Sequence, residues 1–322
     1  MGTVAFVFPG QGSQSVGMGE ALAAAEPAAA EVFVAADAAL GEPITALAFG
    51  GPAEDLDRTQ NAQPALLATS IAYLRALQAA LAAEGRAPIE PAFFAGHSMG
   101  QYSAMVAAGV ISLDDGVRLV RERGLRMQAS GRDGAMAAII GLDDARLPEL
   151  VAAGQAHGIF GVANRNSPGQ VVVSGERGAV EAAAEAAKAL GAKRAIVLPV
   201  SVAAHSPLMA EAAEGMRGIL AGVAFSDPVA PLLANADARP LISGEACRAE
   251  LVDHLTTGVD WVAAVEAMAA AGVTTFVEVG PGRVLSGLIK RIAPELRAVA
   301  LDDASARGAL AVPDIDAVPA SA

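Results

Sequence analysis

The sequence predicts an α/β protein built on a mostly parallel sheet, with a smaller unit of β-α-β-β-α-β order set into it. Three observations predict this. Short apolar runs alternate with segments of helical periodicity along most of the chain, the pattern of a parallel sheet covered by helices on both faces. Between about 132 and 199 the order changes to strand, helix, two strands, helix and strand. A Gly-x-Ser-x-Gly pentapeptide, Gly96-His97-Ser98-Met99-Gly100, stands between the apolar run Ala92-Phe93-Phe94-Ala95 and a helix-like segment from Gln101 to Ala108.

Taken in order, Thr3 to Phe8 reads as a buried strand that ends in a polar, Gly-rich loop, Pro9-Gly10-Gln11-Gly12-Ser13-Gln14. Helices are expected over about 19–40, interrupted near Pro27, and over about 62–84 from the spacing of Leu66, Leu67, Ile71, Leu74 and Leu77. Strand 91–95 and the helix after the pentapeptide follow. Ser112-Leu113-Asp114-Asp115 then starts a helix that runs to about Gln128. In the inserted unit the strands fall at 135–140, 159–163, 170–174 and 193–198, and the helices at 143–156 and 176–190. Beyond it come a helix opened by His205 and running to Leu220, a strand near 229–234, and helices near 244–255 and 261–271. Strand Thr275–Val279 leads through Gly280-Pro281-Gly282 into a last helix. The expected organisation is a large domain over 1–131 and 200–302, the insertion over 132–199, and a flexible Ala-, Pro- and Asp-rich tail over 303–322.

Composition narrows the function classes. A length of 322 residues suits one large domain plus a smaller one, and an apolar fraction of 53% with only 4% aromatics suits alanine-rich helices packed on a sheet. The uncharged stretch from Pro91 to Leu113 is broken by glycines and polar residues, and no other run is expected to span a bilayer. The start of the chain shows no basic region followed by a long apolar one, so no secretory signal is read, and a soluble cytoplasmic protein is expected. One cysteine, Cys247, leaves no internal disulfide and no cysteine metal cluster. A net charge of −13 argues against nucleic-acid binding, and any anionic ligand has to be met by a local basic patch.

The pentapeptide carries the chemistry. Its two glycines permit a strained turn that presents the Ser98 hydroxyl at a helix N-terminus, where it can attack a carbonyl; the bland alternative is a Gly-rich turn with Ser98 as a helix cap. A serine nucleophile needs a base, and the chain has four histidines. The side chain of His97 should point to the far side of the turn from Ser98. His157 reads as a solvated surface residue. His205, following an apolar run at a domain junction, is the best base, against the alternative of a core histidine satisfied by backbone. His254 either orients that base or caps a helix end, and the sequence does not choose between these.

Five segments in order now carry a resemblance: Phe8-Pro9-Gly10-Gln11-Gly12-Ser13-Gln14, the run Gly96 to Ala104, Arg123 in Glu122-Arg123-Gly124-Leu125-Arg126-Met127-Gln128, Ala203-Ala204-His205-Ser206, and Glu278-Val279-Gly280-Pro281-Gly282. Together, over about residues 3–302, they resemble the malonyl-CoA:acyl-carrier-protein transacylase family, the acyltransferases of fatty acid and polyketide synthesis. The resemblance implies an α/β-hydrolase-like large domain with a mostly parallel sheet, plus an inserted ferredoxin-like small domain. It implies a two-stage transfer in which Ser98 takes malonyl from malonyl-CoA as an ester and passes it to the phosphopantetheine thiol of acyl carrier protein.

By the same resemblance His205 is the general base, and the backbone N–H groups of Gln11 and Met99 form the oxyanion hole. Arg123 pairs with the malonyl carboxylate; on composition alone it would be one of several solvated arginines beside Arg118, Arg121 and Arg126. The backbone carbonyl of His254 orients the base. No metal and no cofactor are expected, malonyl-CoA being a substrate and phosphopantetheine being carried by the partner. No nucleic-acid or membrane partner is expected, and the chain is expected to be a monomer. Candidate clusters for the phosphates of coenzyme A and for the carrier are Lys290 with Arg291, and Lys188, Lys193 and Arg194. Two positions depart from the family: Gln101 stands where glutamate is usual, and His254 where glutamine is typical, adding a titratable side chain beside the site. The alternatives are an acyltransferase loading a polyketide carrier, and a serine thioesterase or hydrolase, which would give no reason for Arg123 or the Gln11 loop.

Overall fold

The computed structural model describes residues 2–130, 133–200 and 202–301 of the chain; the tail over 303–322 lies outside the described residues, as do positions 131 and 132 at the start of the insertion. The described strands are β1 (Thr3–Phe8), β2 (Phe93–Gly96), β3 (Gly134–Ile140), β4 (Phe160–Ser167), β5 (Gln170–Glu176), β6 (Arg194–Val197), β7 (Leu232–Leu233), β8 (Pro240–Leu241), β9 (Val259–Asp260), β10 (Val273–Glu278) and β11 (Arg297–Ala300). They form two sheets.

The larger sheet has the order β11-β10-β1-β2-β7-β8, all neighbours parallel except the edge pair β7–β8. At its centre β1 is apolar and buried from Val4 to Phe8 because both of its faces are covered. Val4, Phe6 and Phe8 enter one core with the helices Thr59–Ala83 and Leu113–Ser130, while Ala5 and Val7 enter a second with Trp261–Ala270 and Val284–Ile292. The period-2 alternation of a strand thus serves two helical layers at once. Phe6 meets Phe94 of β2 edge to face at 6.1 Å.

The smaller sheet has the order β6-β3-β5-β4-β9. Its first four strands are antiparallel and, with the helices Leu147–Gln155 and Arg177–Ala189, make the ferredoxin-like arrangement. The fifth strand, β9, comes from the larger part of the chain and pairs parallel to β4 through Asn164 and Arg165. Arg165 Nη1 also donates to Asp260 Oδ2 at 2.7 Å.

Several expectations are corrected. β4 continues to Ser167 instead of ending near 163; its polar residues Asn164, Arg165 and Asn166 hide the strand in the sequence because they serve the junction between the sheets. β8, β9 and β11 and the short helices Ile44–Gly50 and Ala53–Leu56 carry no periodic signal of their own and were not anticipated. His205 does not open a helix: it has φ 60°, and a 3₁₀ turn begins at Pro207, with the α-helix from Ala210. Proline favours the first turn and disfavours helical geometry in the residue before it, which displaces the start. The Thr59–Ala83 helix is long and apolar enough to cross a bilayer by length and composition alone, and 72% of its most apolar window is buried inside the fold.

Candidate active site

β1, β2, β7 and β10 run parallel, so their carboxyl ends gather on one edge of the sheet, where crevices of α/β folds lie. Ser98 sits two residues beyond β2 with φ 54°, a left-handed conformation that a non-glycine residue holds only under constraint. The constraint is visible. A Cβ on Gly96 would collide with the backbone of Gly100 and Gln101, and one on Gly100 with the carbonyl of Phe8, so these glycines alone let the turn close against β1. Asn235, beyond β7, then brackets the turn: its Oδ1 accepts from Ser98 N–H at 2.9 Å and its Nδ2 donates to Gly96 O at 2.9 Å. Asn235 N–H in turn donates to the buried carboxylate of Glu250 at 2.7 Å.

His205 Nε2 lies 2.8 Å from Ser98 Oγ. Its Nδ1 lies 2.7 Å from the carbonyl of His254 and 3.0 Å from that of Thr257. Carbonyls only accept, so Nδ1 carries the proton, Nε2 offers a lone pair, and the Ser98 hydroxyl donates to it. Burial, with the charge of Arg123 next in effect, lowers the pKa of His205 to about 3. At neutral pH it is therefore an uncharged imidazole, the state a base requires.

Arg123 is 1% exposed, on the inner face of the Leu113–Ser130 helix. It reaches this depth because Gly124 packs against the backbone of Thr59 and Gln60, where any side chain would clash. Its Nη1 donates to Gln63 Oε1 at 2.8 Å, and its Nη2 to Ser98 Oγ at 3.2 Å. The guanidinium carbon lies 5.9 Å from the centre of the Tyr102 ring. No carboxylate ion-pairs with it among the described residues, and its Nε has no hydrogen-bond partner. Burial pushes its pKa down from the ordinary arginine value. A buried cation without a counter-ion is costly unless a ligand supplies the negative charge. The solvated-arginine reading is excluded.

Met99 is buried at the N-terminus of the Gly100–Ala107 helix, and Gln11 lies on the loop after β1. A Cβ on Gly10 would collide with the carbonyl of His97, so glycine there lets the loop lie against the turn. Gln11 Nε2 donates to Thr59 Oγ1 at 3.3 Å. Ser98 thus contacts both His205 and Arg123, His254 reaches His205 through its carbonyl, and Met99 and the Gln11 loop flank them. The His97 ring turns away from Ser98, as expected: Nε2 lies 2.8 Å from Asn166 Oδ1, and the ring is 5.7 Å from that of Trp261. Gln101 is buried and structural, accepting from Gly96 N–H at 3.1 Å and donating to Leu233 O at 2.9 Å. His157, Lys188, Lys193, Arg194, Lys290 and Arg291 are exposed.

Sequence reasoning missed Asn235, Gln63, Glu250 and Thr257. For Asn235 a signal existed, a polar residue at the carboxyl end of a parallel strand. Gln63 and Glu250 sit within helices, and Thr257 acts through its backbone, so their side-chain types announce nothing.

Residues 5–304 match the family model for the acyl transferase domain. The chain is 49% identical to the malonyl CoA-acyl carrier protein transacylase of Escherichia coli K12, over 95% of this chain and 97% of that one. It is 43% identical to the protein of the same name from Bacillus subtilis 168, over 94% of each chain. The structure of an acyl-carrier-protein S-malonyltransferase from Bartonella henselae superimposes with a TM-score of 0.89 at 44% identity, covering 96% of this chain and 97% of that one. A malonyl-transacylase solved in complex with its type II polyketide synthase acyl-carrier protein gives 0.87 at 44% identity, covering 93% and 96%.

Proposed function

The chain belongs to the acyl transferase family, and from that premise we propose that it moves a malonyl group from malonyl-CoA to the phosphopantetheine thiol of acyl carrier protein, for fatty acid synthesis. The observation that carries this reading is Arg123, a buried guanidinium without a carboxylate partner among the described residues, in contact with the Ser98 hydroxyl. A carboxylate at the far end of a three-carbon acyl group would supply the missing charge by a forked pair of charge-assisted hydrogen bonds.

The chemistry follows from the proton positions. With malonyl-CoA bound, Ser98 Oγ attacks the thioester carbonyl while His205 Nε2 takes the hydroxyl proton. The N–H groups of Met99 and Gln11 stabilise the oxyanion. When the intermediate collapses, the C–S bond breaks and the coenzyme A thiolate leaves with the proton from His205. The carrier thiol then gives its proton to His205 and attacks the Ser98 ester, and the C–O bond breaks as His205 reprotonates Ser98. The imidazolium formed in each half-reaction is stabilised by the carbonyls of His254 and Thr257. The scheme uses no metal and no cofactor held by this chain, and it runs in a cytoplasmic monomer.

A second reading, in which the acceptor is a polyketide carrier, is favoured by the likeness to the malonyl-transacylase of the type II polyketide complex. Initial-rate kinetics with fatty-acid and polyketide holo-carriers test both. Ping-pong transfer with a higher kcat/KM for the fatty-acid carrier is the expected result, and the reverse preference assigns the enzyme to polyketide synthesis. Release of free malonate as fast as transfer would instead make the protein a hydrolase.

A further inference from the structure

His254 is fully buried, with its ring 6.1 Å from that of His205 and 5.9 Å from that of Tyr102. Its Nδ1 lies 3.0 Å from the carbonyl of Glu250, one helical turn earlier, and its Nε2 lies 3.3 Å from Arg123 Nη2. Each contact fixes a proton. A carbonyl cannot donate, so Nδ1 bears the hydrogen; a guanidinium cannot accept, so Nε2 presents its lone pair. The two hydrogens of Arg123 Nη2 are then divided between Ser98 Oγ and His254 Nε2, while Nη1 is held by Gln63.

We propose that the His254 side chain is a positioning residue for acyl selectivity: as the Nδ1-protonated neutral imidazole it accepts from Arg123 and, with Gln63, aims the guanidinium at the acyl site. The assignment rests on the malonyl-transfer reading and gives His254 a task separate from that of its carbonyl, which orients His205. Burial, the charge of Arg123 and the nearby His205 hold its pKa well below the ordinary histidine value, so the acceptor form persists across neutral pH. Without this contact the guanidinium would keep one side-chain acceptor, Gln63, besides the hydroxyl that has to be freed for attack.

Two measurements test the proposal. In the ¹⁵N imidazole spectrum of the full-length wild type at neutral pH, His254 is expected as the Nδ1–H tautomer; an Nε2–H tautomer overturns the proposal whatever the enzyme transfers. Malonyl-to-acetyl ratios of kcat/KM are then compared for the wild type, His254→Gln and His254→Leu, all of which keep the backbone carbonyl. Glutamine retains an acceptor near the Nε2 position and is expected to hold the ratio within about threefold, whereas leucine lowers it roughly tenfold, the loss of one charge-assisted hydrogen bond. Equal loss of both substrates in the leucine variant, or an equal fall of the ratio in both variants, overturns it. If the leucine variant does not fold, the tautomer and the glutamine variant decide. A wild type that transfers no malonyl refutes the malonyl-transfer reading and leaves the tautomer test intact.

Discussion

The guanidinium of Arg123 donates to the hydroxyl of Ser98 across 3.2 Å, so a buried cation with no carboxylate partner among the described residues touches the hydroxyl proposed to carry the acyl group. An acyl group on Ser98 that ends in a carboxylate would complete this arrangement, and one that ends in a methyl group would face an unpaired buried charge. Arg123→Ala is expected to lower kcat/KM for malonyl-CoA by roughly ten- to a hundredfold, corresponding to about 1.5–3 kcal/mol, while acetyl transfer changes little or improves. Arg123→Lys should recover only part of the malonyl activity, because an ammonium keeps the charge without the planar fork. The check is the malonyl-to-acetyl ratio in both variants. Equal loss for both substrates would make Arg123 structural.

Asn235 holds Ser98 in its strained conformation from both sides of the turn. Asn235→Ala leaves the Ser98 N–H and the Gly96 carbonyl without this partner, at about 1–3 kcal/mol for the buried carbonyl and less for the half-buried N–H. Urea unfolding should register that loss. Steady-state kinetics should show a fall in kcat larger than any rise in KM, since the turn's geometry and not substrate binding is disturbed.

Two buried histidines and a third that is half-buried make the fold acid-sensitive. His205 titrates near 6.5 when unfolded and at about 3 when folded, so between those values unfolding takes up a proton. The contribution is fully present above pH 6.5 and is lost as pH falls towards 3, at about 1.4 kcal/mol per pH unit for this residue alone. His97 and His254 are also lowered by burial and act in the same direction. Denaturant midpoints at constant ionic strength should therefore drop steadily from pH 7 to pH 5, and His205→Gln should flatten the slope. In the folded range the same depressed value predicts no acid limb near pH 6.5 in kcat/KM for malonyl-CoA.

Much of this site was legible in the sequence because its geometry is local. Gly96 and Gly100 announce a turn that only glycine can close, and the strand before and helix after it fix where Ser98 stands. The ferredoxin-like order between Gly134 and Val197 was readable for the same reason, each element being periodic over its own length. Arg123 was different: its neighbours Arg118, Arg121 and Arg126 suggest a wet helix face, and only the resemblance singled it out. The packing of Gly124 against Gln60, residues far apart in the chain, is what buries it. β9 and the polar end of β4 were hidden likewise, since two residues paired across a junction carry no period.

Lys290 and Arg291 end the Val284–Ile292 helix in exposed positions, and Arg291 Nη1 donates to Gln170 Oε1 of the smaller sheet at 2.6 Å. In a chain of net charge −13 they are a local basic patch suited to an acidic carrier. Reversing both charges should raise the apparent KM for the holo-carrier several-fold, more so at low salt, and leave transfer to a small thiol acceptor little affected. An equal effect on both acceptors would place the disturbance in the fold or the acyl site.

The central claim is that Ser98, deprotonated by His205, carries the acyl group between the two half-reactions. Intact-mass analysis of the protein mixed with malonyl-CoA in the absence of carrier tests it most directly. One malonyl adduct is expected on the wild type, removed on adding holo-carrier, and none on Ser98→Ala. An adduct that persists in Ser98→Ala, or a wild type that transfers malonyl without ever becoming acylated, would contradict the account.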